Sequence, residues 1–365
     1  MSSAVSVSAI ILAAGSSSRM GSQKQLLRLG SKTLLEHTLE SVRASQVREI
    51  VVVLGSAAEA IRPHIPADEN VRVVVNDGFQ AGMGSSLQRG LAELSPQAGA
   101  ALVVLADQPL VNPATLNRLI DDYLENKPQI LIPLYRGFRG NPVLLDRSVF
   151  PEIAALRGDT GCRAIFGDHL ANIRKIEVDD AGILLDADRP QDLYLLRRIY
   201  ESGSFDLPEM ETAASDLALA PELVLVGREG VAVALAKFAR LLDFRVTVVD
   251  PLLMFAEMPE ATAILRVMDF VQLPIANQRF CVVASMGRFD EEAIEQAISV
   301  AIPYIALVAN KKRSQEVLQS LGLRGLTAEQ LAHVRTKPGI SIGAQTPAQI
   351  ALSIMAEIVG HVRQA

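Results

Sequence analysis

Short runs of Val, Ile, Leu and Ala recur along this chain, and most are followed by a stretch with helical spacing. That alternation constrains the fold more than any other feature. A brief run of β-formers buried on both faces reads as a parallel strand, and a parallel strand needs a crossover helix to reach its neighbour. Strands are expected over residues 7–12, 49–54, 71–75, 100–105, 130–134 and 142–145. Residues 172–178 and 182–185 read as a hairpin. Helices are expected over 33–44, 84–94, 113–125 and 190–200. Thr33-Leu-Leu-Glu36 spells a capping box, and Asn112-Pro113 supplies an N-cap and a first-turn proline.

The pattern pauses over 201–221, where Ser, Glu, Pro and Ala dominate without clear periodicity, and this stretch reads as a linker. It then resumes, with strands over 223–226, 246–249, 280–284 and 304–308 and helices over 231–242 and 348–359. The expected fold class is α/β with two domains. Residues 1–200 form a Rossmann-like, three-layer unit with a mostly parallel sheet, and residues 222–365 a second Rossmann-like unit. A length of 365 residues agrees, at roughly 100–200 residues per domain.

Composition closes off several functions. Only 4% of residues are aromatic and none is Trp, so packing falls to aliphatic side chains. The net charge is −6 and no Lys/Arg run is long enough to suggest a nucleic-acid footprint, which argues against such a partner. Cys162 and Cys281 lack metal-ligand spacing and read as buried, reduced thiols of a cytoplasmic protein. The first residues lack a basic segment, and the longest later apolar run is broken by Pro303, so neither a signal peptide nor a membrane span is expected.

The segment Leu12-Ala13-Ala14-Gly15-Ser16-Ser17-Ser18-Arg19-Met20-Gly21-Ser22-Gln23-Lys24 leaves the first strand in small residues. Gly15 and Gly21 permit positive φ, successive amides can form an anion nest, and Arg19 and Lys24 add two cations suited to a triphosphate. It is not a P-loop, since Gly21 and Lys24 are separated. Taken alone, such a loop also fits a flexible surface turn. Asp107, in Val-Val-Leu-Ala-Asp107-Gln-Pro, follows an apolar strand and faces the same crevice; Mg²⁺ favours such a hard oxygen beside substrate phosphates, although a turn or cap role also fits Asp107.

The whole string from Leu12 to Lys24 resembles the signature of the nucleotidyltransferases of molybdenum cofactor biosynthesis, and residues 7–200 carry further matches. The Ala-Ala-Gly start and Asp-Gln-Pro motif are similar to the cytidylyltransferase (MocA-type) branch of the MobA-like family. The resemblance implies that Asp107 is a metal ligand. Asp186-Ala-Asp188-Arg-Pro-Gln-Asp192 implies Asp188 as a second, with Arg189 and Gln191 departing from the family's Thr and Glu. Capping of the Pro190 helix is the other reading of Asp188 and Asp192. Asn76 with Gly82-Met-Gly-Ser85-Ser86-Leu implies contacts to base and ribose; Arg139-Gly140-Asn141-Pro142 implies a substrate-facing stretch, and Arg157-Gly-Asp-Thr-Gly161 a later loop. All three also fit helix starts or tight turns.

The activity so implied is transfer of CMP from CTP to the terminal phosphate of molybdopterin, with Mg²⁺ or Mn²⁺ as cofactor and pyrophosphate as leaving group. Arg19, Lys24 and Asp107 would carry the catalysis, and the five histidines none. GTP or a sugar phosphate as substrate, or a non-catalytic cofactor chaperone, are the alternatives. The second domain runs Val224-Leu-Val-Gly227-Arg-Glu229-Gly230, with Asp250 ending the next strand, in the layout of a dinucleotide site. Glu229 stands where that fingerprint needs glycine, so a βαβ unit without dinucleotide is expected. Val246-Thr-Val-Val-Asp-Pro251, Phe289-Asp-Glu291 and the run from Gly339 to Ala351 resemble XdhC-type factors, which implies a xanthine dehydrogenase-type enzyme as partner. Departures at Gly227–Gly230, Ala284-Ser-Met-Gly287 and Ala309-Asn-Lys-Lys312 leave that family's binding residues unmatched.

Overall fold

The computed structural model describes residues 6–15, 23–155, 161–188, 190–203, 205, 207–213 and 220–362. The chain divides into two compact units: residues 1–135 with 139–205, and residues 136–138 with 206–365.

In the first unit, β1 (Ser6–Ala13) is followed by a small hairpin of β2 (Arg28–Leu29) and β3 (Lys32–Thr33) and by α1 (Leu34–Arg43). Then come β4 (Ile50–Leu54), α2 (Ala58–Ile61), β5 (Val71–Val75), α3 (Met83–Ala92), β6 (Ala98–Leu105) and α4 (Pro113–Asn126). The unit ends with β7 (Ile130–Tyr135), β8 (Phe138–Arg139, of which Arg139 belongs to this unit), β9 (Val143–Asp146), α5 (Phe150–Ala155), β10 (Ile173–Glu177) and α6 (Pro190–Ser202). The main sheet has the order β10-β7-β9-β6-β1-β4-β5, with β8 paired to β7. β9 is antiparallel to both neighbours, while β1, β4, β5 and β6 run parallel. Strand alternation puts Ile10, Val51, Val53, Ala101 and Val103 into one core with Leu87 of α3 and Ile153 of α5.

Two helix starts follow directly from local chemistry. Thr33 Oγ1 accepts from the Glu36 amide at 3.2 Å, and Glu36 Oε2 accepts from the Thr33 amide at 2.6 Å. Asn112 Oδ1 accepts from the Ala114 amide at 2.8 Å.

The expected hairpin is not formed. β10 joins β7 in parallel, and residues Ala181–Leu184 make a 3₁₀ turn instead of a strand. The reason is Asp180. Its carboxylate accepts from the Gly182 amide at 2.9 Å, the Asn112 amide at 2.9 Å and Thr115 Oγ1 at 2.7 Å, which pins the chain to the start of α4.

In the second unit, β11 (Met210–Thr212) precedes β12 (Glu222–Val226), α7 (Val231–Leu241), β13 (Arg245–Val249) and β14 (Ala263–Leu265). β15 (Arg279–Val283), α8 (Asp290–Ser299), β16 (Tyr304–Leu307), α9 (Lys311–Leu323), α10 (Ala328–Ala332), β17 (Val334–Arg335) and α11 (Pro347–Val362) follow. The sheet order is β11-β14-β13-β12-β15-β16-β17, parallel except for β11 against β14.

The stretch read as a linker is in part structural. β11 borders the sheet, and the fully buried Arg266 depends on it: its guanidinium donates to Glu211 Oε2 at 2.6 Å and to the Pro208 carbonyl at 3.0 Å. A buried guanidinium requires such partners. Cys281 is buried, as expected, whereas Cys162 is only half-buried; both are free thiols. Among the described residues, no helix is long and apolar enough to cross a membrane.

Candidate active site

The register of the first sheet decides what can meet. Leu12 of β1 lies beside Leu105 of β6 and Val53 of β4, and Leu54 lies beside Val75 of β5. Four parallel strands therefore release their chains at one edge. Ala13–Gly15, Asp107, Gly55 and Asn76 all emerge there. β4 and β6 flank β1 on opposite sides, so the crevice sits at the point where strand order reverses, the usual ligand position in such sheets.

The loop returns to this edge through a 3₁₀ turn, Lys24–Leu26. Lys24 Nζ is in contact with Asp107 Oδ2 and lies 2.9 Å from Asp188 Oδ1. Burial draws the Lys24 ammonium downward, but the two carboxylates outweigh it and hold its pKa above the usual lysine value. The Ala187 amide donates to the Asp107 carbonyl at 3.1 Å, so the backbone itself brings Asp188 beside Asp107. Asp192 Oδ2 accepts from the Asp188 amide at 3.2 Å. Asp192 thus braces the turn that leads into α6, and the Asp188 carboxylate reaches Lys24.

Three neighbours shape the crevice that charge and spacing did not single out. Gln25 is buried, and its Nε2 donates to the carbonyls of Ala13 at 3.1 Å and Gly15 at 3.2 Å. Gly55 lets β1 and β4 converge: a Cβ there would stand 2.8 Å from both the Cβ and the carbonyl oxygen of Ala14. Gln108 is buried beside Asp107 and donates from Nε2 to the Ile183 carbonyl at 3.1 Å. That carbonyl also accepts from the Asn141 amide at 3.0 Å. A Cβ on Gly140 would stand 2.5 Å from it. One acceptor thus ties the Asp-Gln-Pro turn to the stretch from Arg139 to Pro142, in which Arg139 is buried and the Asn141–Pro142 bond is cis. A buried amide next to a carboxylate leaves no periodic trace in sequence; only its adjacency to Lys24 or Asp107 was a signal.

Asn76, Gly82, Ser85 and Ser86 gather at the start of α3. Asn76 Nδ2 donates to Ser85 Oγ at 2.9 Å and Ser86 Oγ at 3.0 Å, and Asn76 Oδ1 accepts from the Gly78 amide at 3.0 Å. The Asn76 side chain therefore braces this turn. Residues 16–22, with Ser16, Ser17, Ser18 and Arg19, lie outside the described residues, as do 156–160 and 189.

Asp107 and Asp188 offer hard oxygens that converge on one cation, a donor set that suits a divalent ion completed by phosphate and water oxygens. Among the described residues, no group of three or more His, Cys, Asp or Glu forms a metal cluster.

In the second unit, Gly227 has φ +108° and a Cβ there would stand 2.6 Å from the Ala284 carbonyl, which explains the glycine. Asp250 is buried; it accepts from the Leu252 amide at 3.0 Å and lies 3.9 Å from Arg228 Nε. Asp290 and Glu291 are likewise held, by Arg313 at 3.1 Å and 2.9 Å.

Residues 9–173 match the model of the MobA-like NTP transferase domain, and residues 223–358 that of the XdhC Rossmann domain. The chain is 30% identical over 200 residues to nicotine blue oxidoreductase of Paenarthrobacter nicotinovorans, covering 52% of this chain and 96% of that protein. It is 32% identical over 149 residues to the uncharacterized protein YqeB of Escherichia coli strain K12, covering 38% of this chain but only 27% of YqeB. Among solved structures, the Rv0371c homologue from Mycobacterium sp. strain JC1 is 30% identical with a TM-score of 0.50, over 54% of this chain and 98% of that one.

Proposed function

This chain belongs to the MobA-like NTP transferases and carries an XdhC Rossmann domain; from that premise we propose that it transfers CMP from CTP to the terminal phosphate of molybdopterin, releasing pyrophosphate. One observation carries the reading. A lysine from the loop after β1 meets one carboxylate after β6 and another after β10, at the ligand-binding edge of a parallel sheet.

Asp107 and Asp188 would hold Mg²⁺ or Mn²⁺, which when bound supplies positive charge beside the triphosphate. The protein's own groups do the rest. The small residues Ala13 to Ser18, following Leu12, allow the triphosphate to approach backbone amides, and Arg19 and Lys24 offset the charge that develops on the departing β- and γ-phosphates. A phosphate oxygen of the acceptor forms a bond to the α-phosphorus as the bond from that phosphorus to the β-phosphate oxygen breaks. The electron pair leaves with pyrophosphate. The acceptor is already ionised at neutral pH, so no histidine base is required. Asn76, Gly82, Ser85 and Ser86 border the nucleotide, and Arg139, Gly140, Asn141 and Pro142 the acceptor.

The XdhC Rossmann domain supports a place for the product in the maturation of a xanthine dehydrogenase-type enzyme. The test is pyrophosphate release with Mg²⁺, molybdopterin and each of CTP, GTP and UTP. CTP is expected to be preferred, and Asp107→Ala to lower turnover by about 10²-fold or more. Near-normal turnover would remove Asp107 from the site. The relative named as an oxidoreductase favours a second reading, redox chemistry in the first unit. Oxidation of a reduced nicotinamide without pyrophosphate release would decide for it.

A further inference from the structure

We propose that Lys24 is a tethered cation that occupies the metal position of this site, so that a divalent ion binds tightly only when a triphosphate draws the ammonium away. The inference rests on the nucleotidyltransferase reading for the identity of the ligands and on geometry for the clasp.

The two carboxylates do not need Lys24 to be brought together. The Ala187 amide donates to the Asp107 carbonyl at 3.1 Å, which sets the residue before Asp188 against Asp107, and Asp192 Oδ2 accepts from the Asp188 amide at 3.2 Å. Two negative groups are thus placed together by the fold, and a cation between them offsets their repulsion. Lys24 Nζ fills that role, in contact with Asp107 Oδ2 and 2.9 Å from Asp188 Oδ1. A metal ion sharing those oxygens cannot bind while the ammonium stands there.

The tether gives the ammonium a high local concentration, so a free divalent ion meets an intramolecular competitor. The tether also leaves the ammonium some reach. The backbone of Lys24 is held in its 3₁₀ turn by the bond from the Leu27 amide to its carbonyl at 3.1 Å, and neighbouring Gln25 is pinned to the loop. The four-carbon stem can still swing the point charge. A triphosphate offers that charge another strong partner and simultaneously supplies oxygens for the metal. Metal and nucleotide then raise one another's affinity, since coupling between sites is reciprocal.

The test is a Mn²⁺ titration of the full chain, read by electron paramagnetic resonance, with and without α,β-methylene CTP. Lys24→Met is expected to bind Mn²⁺ alone about tenfold more tightly than the unaltered protein, and to lose most of the nucleotide's effect on Mn²⁺ affinity. Lys24→Arg keeps the charge and is expected to bind Mn²⁺ no more tightly than the unaltered chain. Adding Asp107→Asn to Lys24→Met is expected to abolish the gain. Equal or weaker Mn²⁺ binding by Lys24→Met, equal tightening by Lys24→Arg, or a gain that survives Asp107→Asn would each overturn the proposal. If Lys24→Met does not fold, the unaltered protein decides: Mn²⁺ affinity independent of the analogue overturns it. Failure of nucleotidyl transfer is read separately, in pyrophosphate release, and leaves the Mn²⁺ titration interpretable.

Discussion

Gln25 carries no charge, yet two carbonyls at the mouth of the loop depend on it. Its Nε2 donates to Ala13 and Gly15, and a buried carbonyl stripped of its donor costs on the order of 1–3 kcal/mol. With those oxygens occupied, they are not left to face an incoming anion. Gln25→Ala is expected to lower stability by that order and to raise the KM for the nucleotide more than it lowers kcat. Gln25→Glu is expected to weaken nucleotide binding further, because a carboxylate would face two carbonyl oxygens. Steady-state kinetics of both variants check this; an unchanged KM would mean that the loop keeps its shape without the bond. Lys24 and Asp107 stood out in the sequence because charge in a glycine-rich turn or after an apolar strand is conspicuous, whereas Asp188 was marked only by family resemblance. Gln25 and Gln108 were not, because a neutral amide acquires its role only from what surrounds it.

At the scale of elements, α3 illustrates how closely helix and sheet are matched. A Cβ on Gly90 would stand 2.5 Å from Ile10 Cγ2 and 3.1 Å from Val53 Cγ2, both on the face that α3 covers. Alanine in a helix interior ordinarily gains about 0.5–1 kcal/mol over glycine. Forcing a methyl into a packed, β-branched core costs about 1–3 kcal/mol. Gly90→Ala is therefore expected to destabilise the first unit by about 1–2 kcal/mol in denaturant titration. A stabilised variant would mean that α3 stands off from β1. The strands and capped helices were readable because periodicity and capping act over a few residues. The turn at Ala181–Leu184 was not, since alternation in 172–185 fits a hairpin equally well. Asp180 reaching Asn112 and Thr115 excludes the hairpin, and that contact spans 65 residues or more of sequence.

For the whole molecule, each unit has its own core, and the boundary between them matters for stability. Composition marks 201–221 as a linker, but Glu211 and Pro208 satisfy the buried Arg266. A fragment of residues 222–365 is expected to be less stable than one of residues 206–365 by on the order of 3 kcal/mol, because the buried Arg266 loses Glu211 and the Pro208 carbonyl. Thermal melts of the two fragments check this, and equal melting would show that Arg266 finds other partners. The sequence by itself determined the α/β alternation, the helix caps and the small, cationic and carboxylate residues of the loop and strand ends, because each is written within a short window. Only the tertiary structure decided that Lys24 stands between Asp107 and Asp188, which lie 83 and 164 residues away along the chain. The parallel register of β1 and β6 and the bond from Ala187 to Asp107 put those groups at one sheet edge, and no local pattern encodes that meeting.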